Sequence, residues 1–150
     1  MTAETNPLVA HMEFPEALYY DIPHQMWVHY DADTGLATIG ITALGIHLSG
    51  DIYMCRPKRV GTALQPGDSL GVVELAKSVV SFKSPIAGTV EVVNPVLEEY
   101  PERVHQHCYT QGWLVQMRPS HWPQPETGLL QGRDAVLPAM QHHAWLNRAE

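Results

Sequence analysis

The chain has 150 residues, with nine Lys and Arg against sixteen Asp and Glu and a formal charge of −7. Its length suits one domain, and 45% apolar with 17% charged residues is globular rather than disordered composition. There is no basic stripe of the kind nucleic-acid binding needs, and no apolar run near the ~20 residues of a membrane helix.

The first Lys or Arg is Arg56, so the N-terminus lacks the basic residues of a secretory or mitochondrial leader. The expected setting is the cytoplasm. Cys55 and Cys108 are expected to be thiols there, not a bridge.

Residues 1–18, with Pro7 and Pro15, read as a lead-in. The main domain is expected over 19–118. Trp27–Tyr30 alternates, the segment Asp31–Gly35 turns, and Leu36–Ile41 alternates again, which predicts a hairpin. Thr42 is an N-cap residue type, and Thr42–Leu48 predicts a short helix ended by Gly50. Ile52–Cys55 reads as a strand. Gly61 and Pro66-Gly67-Asp68 mark turns.

Leu70–Leu75 and Val79–Phe82 are two β-prone runs joined by Ala76, Lys77 and Ser78. A tight turn there puts Lys77 at its tip, facing water. Val96–Tyr100 predicts a short helix before Pro101, and Trp113–Met117 the last strand. Residues 119–150 read as a proline-broken extension that wraps the domain or frays, with a helix over Gln141–Arg148. This extension is expected to be dispensable for any modification of Lys77. Many short strands with frequent turns predict a mainly β, antiparallel sandwich or flattened barrel with a few short helices.

A lysine at a hairpin tip is, on physical grounds alone, most often a solubilising charge. Its surroundings say more. Gly67-Asp68, Glu74-x-x-Lys77 and Ser84-Pro85-x-x-Gly88-x-Val90 resemble the lipoyl and biotinyl attachment domains. Biotinyl domains place Met on both sides of the lysine, and here Ala76 and Ser78 stand there. Further blocks resemble the H protein of the glycine cleavage system: Gly40-Ile41-Thr42, Gly50-Asp51-Ile52, Val60-Gly61, Asn94-Pro95-x-Leu97 and Gly112-Trp113-Leu114. They run in order from about Phe14 to Arg118.

The resemblance implies a lipoyl/biotinyl-domain-like fold and a carrier that is not an enzyme. It implies lipoic acid in amide linkage to Lys77, with Glu74 and Ser78 flanking the attachment point. No catalytic residue and no metal ligand is assigned. The dithiolane of such an arm cycles between disulfide and dithiol.

The sequence also departs from the H-protein pattern. His24-Gln25-Met26-Trp27-Val28 carries one residue more than the family's H-E-W-V. Thr42-Ala43-Leu44-Gly45-Ile46 replaces its T-D-Y-A-Q, losing an acid and an amide. A sheltered aminomethyl cation needs such groups. These departures point to the lipoate-binding proteins of sulfur oxidation, which resemble H proteins. The expected cargo is then sulfur intermediates or electrons, exchanged with a heterodisulfide-reductase-like complex.

The alternative is a glycine cleavage H protein carrying the aminomethyl group. Its partners would be glycine decarboxylase, aminomethyltransferase and dihydrolipoyl dehydrogenase. Either carrier needs a lipoate–protein ligase or related lipoylation enzyme, and neither needs nucleic acid or membrane. An unmodified β-sheet interaction domain is the alternative from another class. His105-x-His107-Cys108 has the residue types of metal ligands but reads as polar loop.

Overall fold

The structure, a computed structural model, describes residues 6–147. Ten antiparallel strands form two sheets. The strands are β1 (Tyr19–Asp21), β2 (Met26–Asp31), β3 (Leu36–Ile41), β4 (Met54–Pro57), β5 (Ala63–Leu64), β6 (Ser69–Glu74), β7 (Val79–Lys83), β8 (Gly88–Val93), β9 (Val115–Pro119) and β10 (Leu130–Gln131). The larger sheet has the order β10-β1-β2-β3-β9-β8-β5, the smaller β4-β6-β7. Four α-helices accompany them among the described residues: α1 (Pro7–Ala10), α2 (Ala43–Ser49), α3 (Arg103–Gln106) and α4 (Arg133–Leu146). This is the antiparallel, mainly β architecture that the strand spacing predicts.

The predicted hairpin is β2–β3, closed at Asp31↔Leu36. Thr42 caps α2: its hydroxyl accepts from the Gly45 N–H at 3.0 Å. Gly40 admits no side chain, because a Cβ there would lie 2.5 Å from the Trp27 indole. That close approach explains the glycine in Gly40-Ile41-Thr42. The main core lies between the sheets and includes Val28, Ile39, Leu70, Phe82, Val90 and Met117.

A second apolar cluster joins the two chain ends. Val9, Phe14 and Leu18 meet Val136, Met140 and Ala144 over Tyr20, Trp27 and Leu44. Leu130 pairs with Tyr20 across β10 and β1. Gln124 accepts from the Ala87 N–H at 2.9 Å and donates to its carbonyl at 2.8 Å. Trp122 stacks on Tyr30 at 4.8 Å between ring centroids. The extension therefore wraps the domain.

Two helices differ from expectation. In place of a Val96–Tyr100 helix, residues 95–99 form turns with a single helical bond from the Tyr100 N–H to the Val96 carbonyl at 2.8 Å, Pro101 bars the chain from continuing as helix through Tyr100, and the helix is Arg103–Gln106. The tail helix starts at Arg133, not Gln141, and Arg148 lies outside the described residues. Pro138 sits inside it on the exposed side, as does Asp134, whose carbonyl the proline has no N–H to pair with. The buried residues recur at Val136, Met140 and Ala144, one helical face.

Candidate functional site

Glu74 and Val79 close the β6–β7 ladder, and Leu75–Ser78 make the turn. The Leu75 N–H donates to the Ser78 carbonyl at 2.8 Å, and the Leu75 side chain packs on the main core. That anchor leaves Ala76, Lys77 and Ser78 exposed. Beneath the turn, Gly71 lies against β4: a Cβ there would be 2.5 Å from the Arg56 carbonyl oxygen and 2.6 Å from the Phe82 ring. The hairpin is held close to its neighbour while its tip stands free. Glu74 is half-buried between Met54 and Val79.

A cleft of about 640 Å³ opens beside this turn. Ser78, Val80 and Lys83 form one wall; Gly45, Leu48 and Ser49 of α2 form the other. Met26, Ile41 and Phe82 add apolar surface, and His24, Gln25 and His143 add polar groups to the lining. Val80 is 46% exposed because it faces this opening rather than packed side chains. The lining contains no Asp or Glu among the described residues. His24 contacts Asp21 at 2.8 Å through Nδ1. Burial, and then the neighbouring His142, hold His143 below its ordinary pKa.

Gln25 organises the cleft. Its backbone has φ 58°, and its side chain is buried. The amide donates to the Ile22 carbonyl at 2.8 Å and to the Met140 sulfur at 3.3 Å. Its carbonyl oxygen accepts from the Thr42 hydroxyl, and its backbone carbonyl accepts from the Thr42 N–H at 3.0 Å. The tail helix, the β1–β2 turn and the α2 cap thus meet at one residue. Sequence reasoning notes Gln25 only as part of an insertion. It misses Met140 and His143, since no motif links a proline-rich tail to a hairpin 60 residues earlier.

The other candidate constellation is dispersed. His105 accepts from the Ile52 N–H at 2.9 Å, and its other nitrogen lies 3.7 Å from Asp51. No group of three or more His, Cys, Asp or Glu that could hold a metal ion exists among the described residues. Both cysteines are free. Burial pushes Cys55 up to about 12 and Cys108 up to about 11, so both are poor nucleophiles near neutrality.

The sequence profile of the family "Glycine cleavage H-protein" matches residues 18–142. The chain belongs to the glycine cleavage H-protein family. A glycine cleavage system H protein of Thermosynechococcus vestitus is 37% identical over 123 residues, 82% of this chain and 92% of the relative. One from Magnetococcus marinus is 35% identical over 135 residues, 90% of this chain and 89% of the relative. The crystal structure of an H protein from Mycobacterium marinum superposes with a TM-score of 0.69 at 24% identity, covering 90% of this chain and 99% of that one. The last likeness supports the fold.

Members of this family are lipoyl carriers without catalysis of their own, bearing lipoate on a lysine. Nothing in these similarities supports the sulfur-oxidation branch; the relatives' names favour the glycine cleavage alternative. No helix among the described residues is long and apolar enough to cross a membrane.

Proposed function

We propose that Lys77 carries lipoate in amide linkage and that the chain serves as the H protein of a cytoplasmic glycine cleavage system. Its partners are then glycine decarboxylase, aminomethyltransferase, dihydrolipoyl dehydrogenase and a lipoylation enzyme. The observation that carries this reading is Lys77 exposed at the tip of the β6–β7 turn, one residue from an open cleft. The group fits: the amine is reachable by a ligase, and the apolar cleft beside it can take an aliphatic arm.

Bound lipoate supplies a dithiolane that accepts a group or electrons by thiol–disulfide exchange. The chain's residues do the rest. Glu74 and Ser78 flank and present the lysine. Leu75 anchors the turn in the core, so an attached arm pivots from a fixed point. Met26, Ile41, Val80 and Phe82 offer apolar surface from which water is excluded when the cleft is filled.

Intact mass tests the reading. Coexpression with a lipoate ligase is expected to add one lipoyl increment, which Lys77→Arg abolishes. The lipoylated protein is then expected to support carbon dioxide exchange by glycine decarboxylase. An unmodified Lys77 would sink the carrier assignment.

One observation favours a second reading, the sulfur carrier working with a heterodisulfide-reductase-like complex. The charged and titratable side chains of the cleft lining are His24, Lys83 and His143, with no carboxylate among the described residues. An aminomethyl ammonium held there lacks an anionic partner, and leaving a cation unpaired away from water costs several kcal/mol. Sulfur cargo makes no such demand. Failure of carbon dioxide exchange, together with sulfur mass increments after incubation with thiosulfate-derived donors and their transferases, would establish this reading over the first.

A further inference from the structure

The charge of this chain is strongly partitioned. Residues 1–51 hold seven acidic residues and no Lys or Arg. Residues 52–84 hold five of the nine basic ones, Arg56, Lys58, Arg59, Lys77 and Lys83, against Asp68 and Glu74. This basic segment is the one that builds β4, β6 and β7.

Register decides where the side chains stand. Met54, Glu74 and Val79 form one cross-strand row, and Arg56, Val72 and Ser81 form the row two residues on. Strand residues two apart share a face. Between these rows lies Cys55–Val73–Val80, and Cys55 and Val73 point into the core. Met54, Arg56 and Val79 therefore stand on the outer face and are exposed there. Lys83, at the rim between this face and the cleft, donates to Ser81 at 3.3 Å. Lys58 and Tyr53, at either end of β4, are also exposed, Tyr53 at 61% and Val79 at 61%.

We propose that this outer face of the β4-β6-β7 sheet is the docking surface for a partner enzyme whose active-site entrance is rimmed by Asp and Glu. The proposal rests on the lipoyl-carrier reading of Lys77. Charge complementarity selects the occupant. Arg56 stands in the row next to the Met54–Glu74–Val79 row that closes the hairpin, and Lys58 and Lys83 lie toward the far end of the same sheet, opposite Leu70 and Ser69, on a molecule that is otherwise acidic, so the field orients this sheet toward a negative surface before contact. Amide formation at Lys77 removes its own charge but leaves these three. Met54 and Val79 supply the apolar patch that a protein interface buries at its centre.

A polyanion fits less well. Nucleic acid would meet three basic side chains mixed with apolar ones, and the seven acids of residues 1–51 would repel a long chain of phosphates.

The test pairs a charge reversal with a localised probe. Arg56→Glu/Lys58→Glu changes two exposed side chains; Arg56→Gln/Lys58→Gln is the milder variant should the reversal disturb the fold. Each is lipoylated, checked by intact mass, and assayed with glycine decarboxylase from the same organism. The expected result is a KM for the carrier raised about 10-fold or more by the reversal, less by the neutralisation, with kcat kept. The wild-type KM is expected to rise with salt as screening shortens the field.

In parallel, hexaglutamate is titrated into the isotope-labelled wild-type chain. Amide shifts are expected at residues 54–58, 72 and 77–83, and are lost in the reversal variant. A KM indifferent to both salt and reversal would overturn the proposal. So would hexaglutamate shifts confined to other surfaces, or tighter binding to phosphatidylserine vesicles or single-stranded DNA than to the enzyme. An unmodified Lys77, or the absence of any exchange, counts against the functional reading, and the hexaglutamate map still decides the docking face.

Discussion

The β6–β7 hairpin and the clamp made by the two chain ends are built on opposite terms. The turn of the hairpin commits one side chain, Leu75, to the core and leaves the next three in water. The clamp buries Val9, Tyr20, Trp27, Leu44, Val136, Met140 and Ala144 at 2% exposure or less. A carrier needs both: an anchor point that any partner can reach, and a frame stiff enough that the anchor does not wander. Gln25 connects them, since it touches Met140 of the clamp and lines the cleft beside the hairpin.

The largest effect expected from breaking this contrast is loss of the clamp. A chain ending at Arg118 loses α4, β10 and the Gln124 bonds to Ala87, and uncovers Tyr20, Trp27 and Leu44. Deleting single buried side chains costs about 2–5 kcal/mol, and a domain has only about 5–15 in all. The truncated chain is expected to be largely unfolded by circular dichroism at 37 °C, and its Lys77 poorly lipoylated for that reason. The expectation from sequence that the tail is dispensable for modification would be recovered if the truncated chain melted cooperatively and took the full lipoyl increment.

A smaller effect sharpens the same point. Met140→Ala is expected to cost about 2–4 kcal/mol in urea unfolding, because the side chain is fully buried and its loss leaves a cavity. It also removes the sulfur that accepts from Gln25. A cost under ~1 kcal/mol would show that the cleft does not depend on the tail helix.

These two regions also differ in how far the sequence exposes them. The hairpin was legible because its information is local: two β-prone runs, a short polar connection and glycines within twenty residues of Lys77. So were β2–β3 and the Thr42 cap. The clamp was not, because it joins residues 9–20 to 136–144, and no spacing within either segment declares the other. Pro138 hid the helix further, since a proline is read as a break unless its solvent-facing position is known. His143 became a cleft residue only through that helix.

His143 gives a weaker, pH-dependent effect. Its folded pKa lies below the ordinary value near 6.5, through burial and then His142. The folded chain thus prefers the neutral imidazole. As pH falls below about 6.5, the unfolded chain takes up the proton first, so stability present above that pH declines until the folded form titrates too. His24 and Lys83 also line the cleft, and protonation of His143 adds to their positive charge. His143→Gln is expected to flatten the urea midpoint between pH 7 and pH 5.5 relative to wild type. A steeper fall in the variant would reverse the sign and place the titrating group elsewhere.

The smallest stability effect is expected at the functional centre. Lys77 is exposed at the turn, and the bond that closes the turn runs between the backbones of Leu75 and Ser78. Replacing the side chain removes neither that bond nor the Leu75 anchor. Exposed positions of this kind usually change stability by less than ~0.5 kcal/mol. Lys77→Arg is therefore expected to leave the melting temperature within about 2 °C of wild type while abolishing the lipoyl increment. Arginine keeps the charge and length but has no amine that a ligase can acylate. A loss above ~1 kcal/mol would mean that Lys77 holds a contact in the folded chain, and the division between a rigid frame and a free tip would fail at the residue that matters most to it.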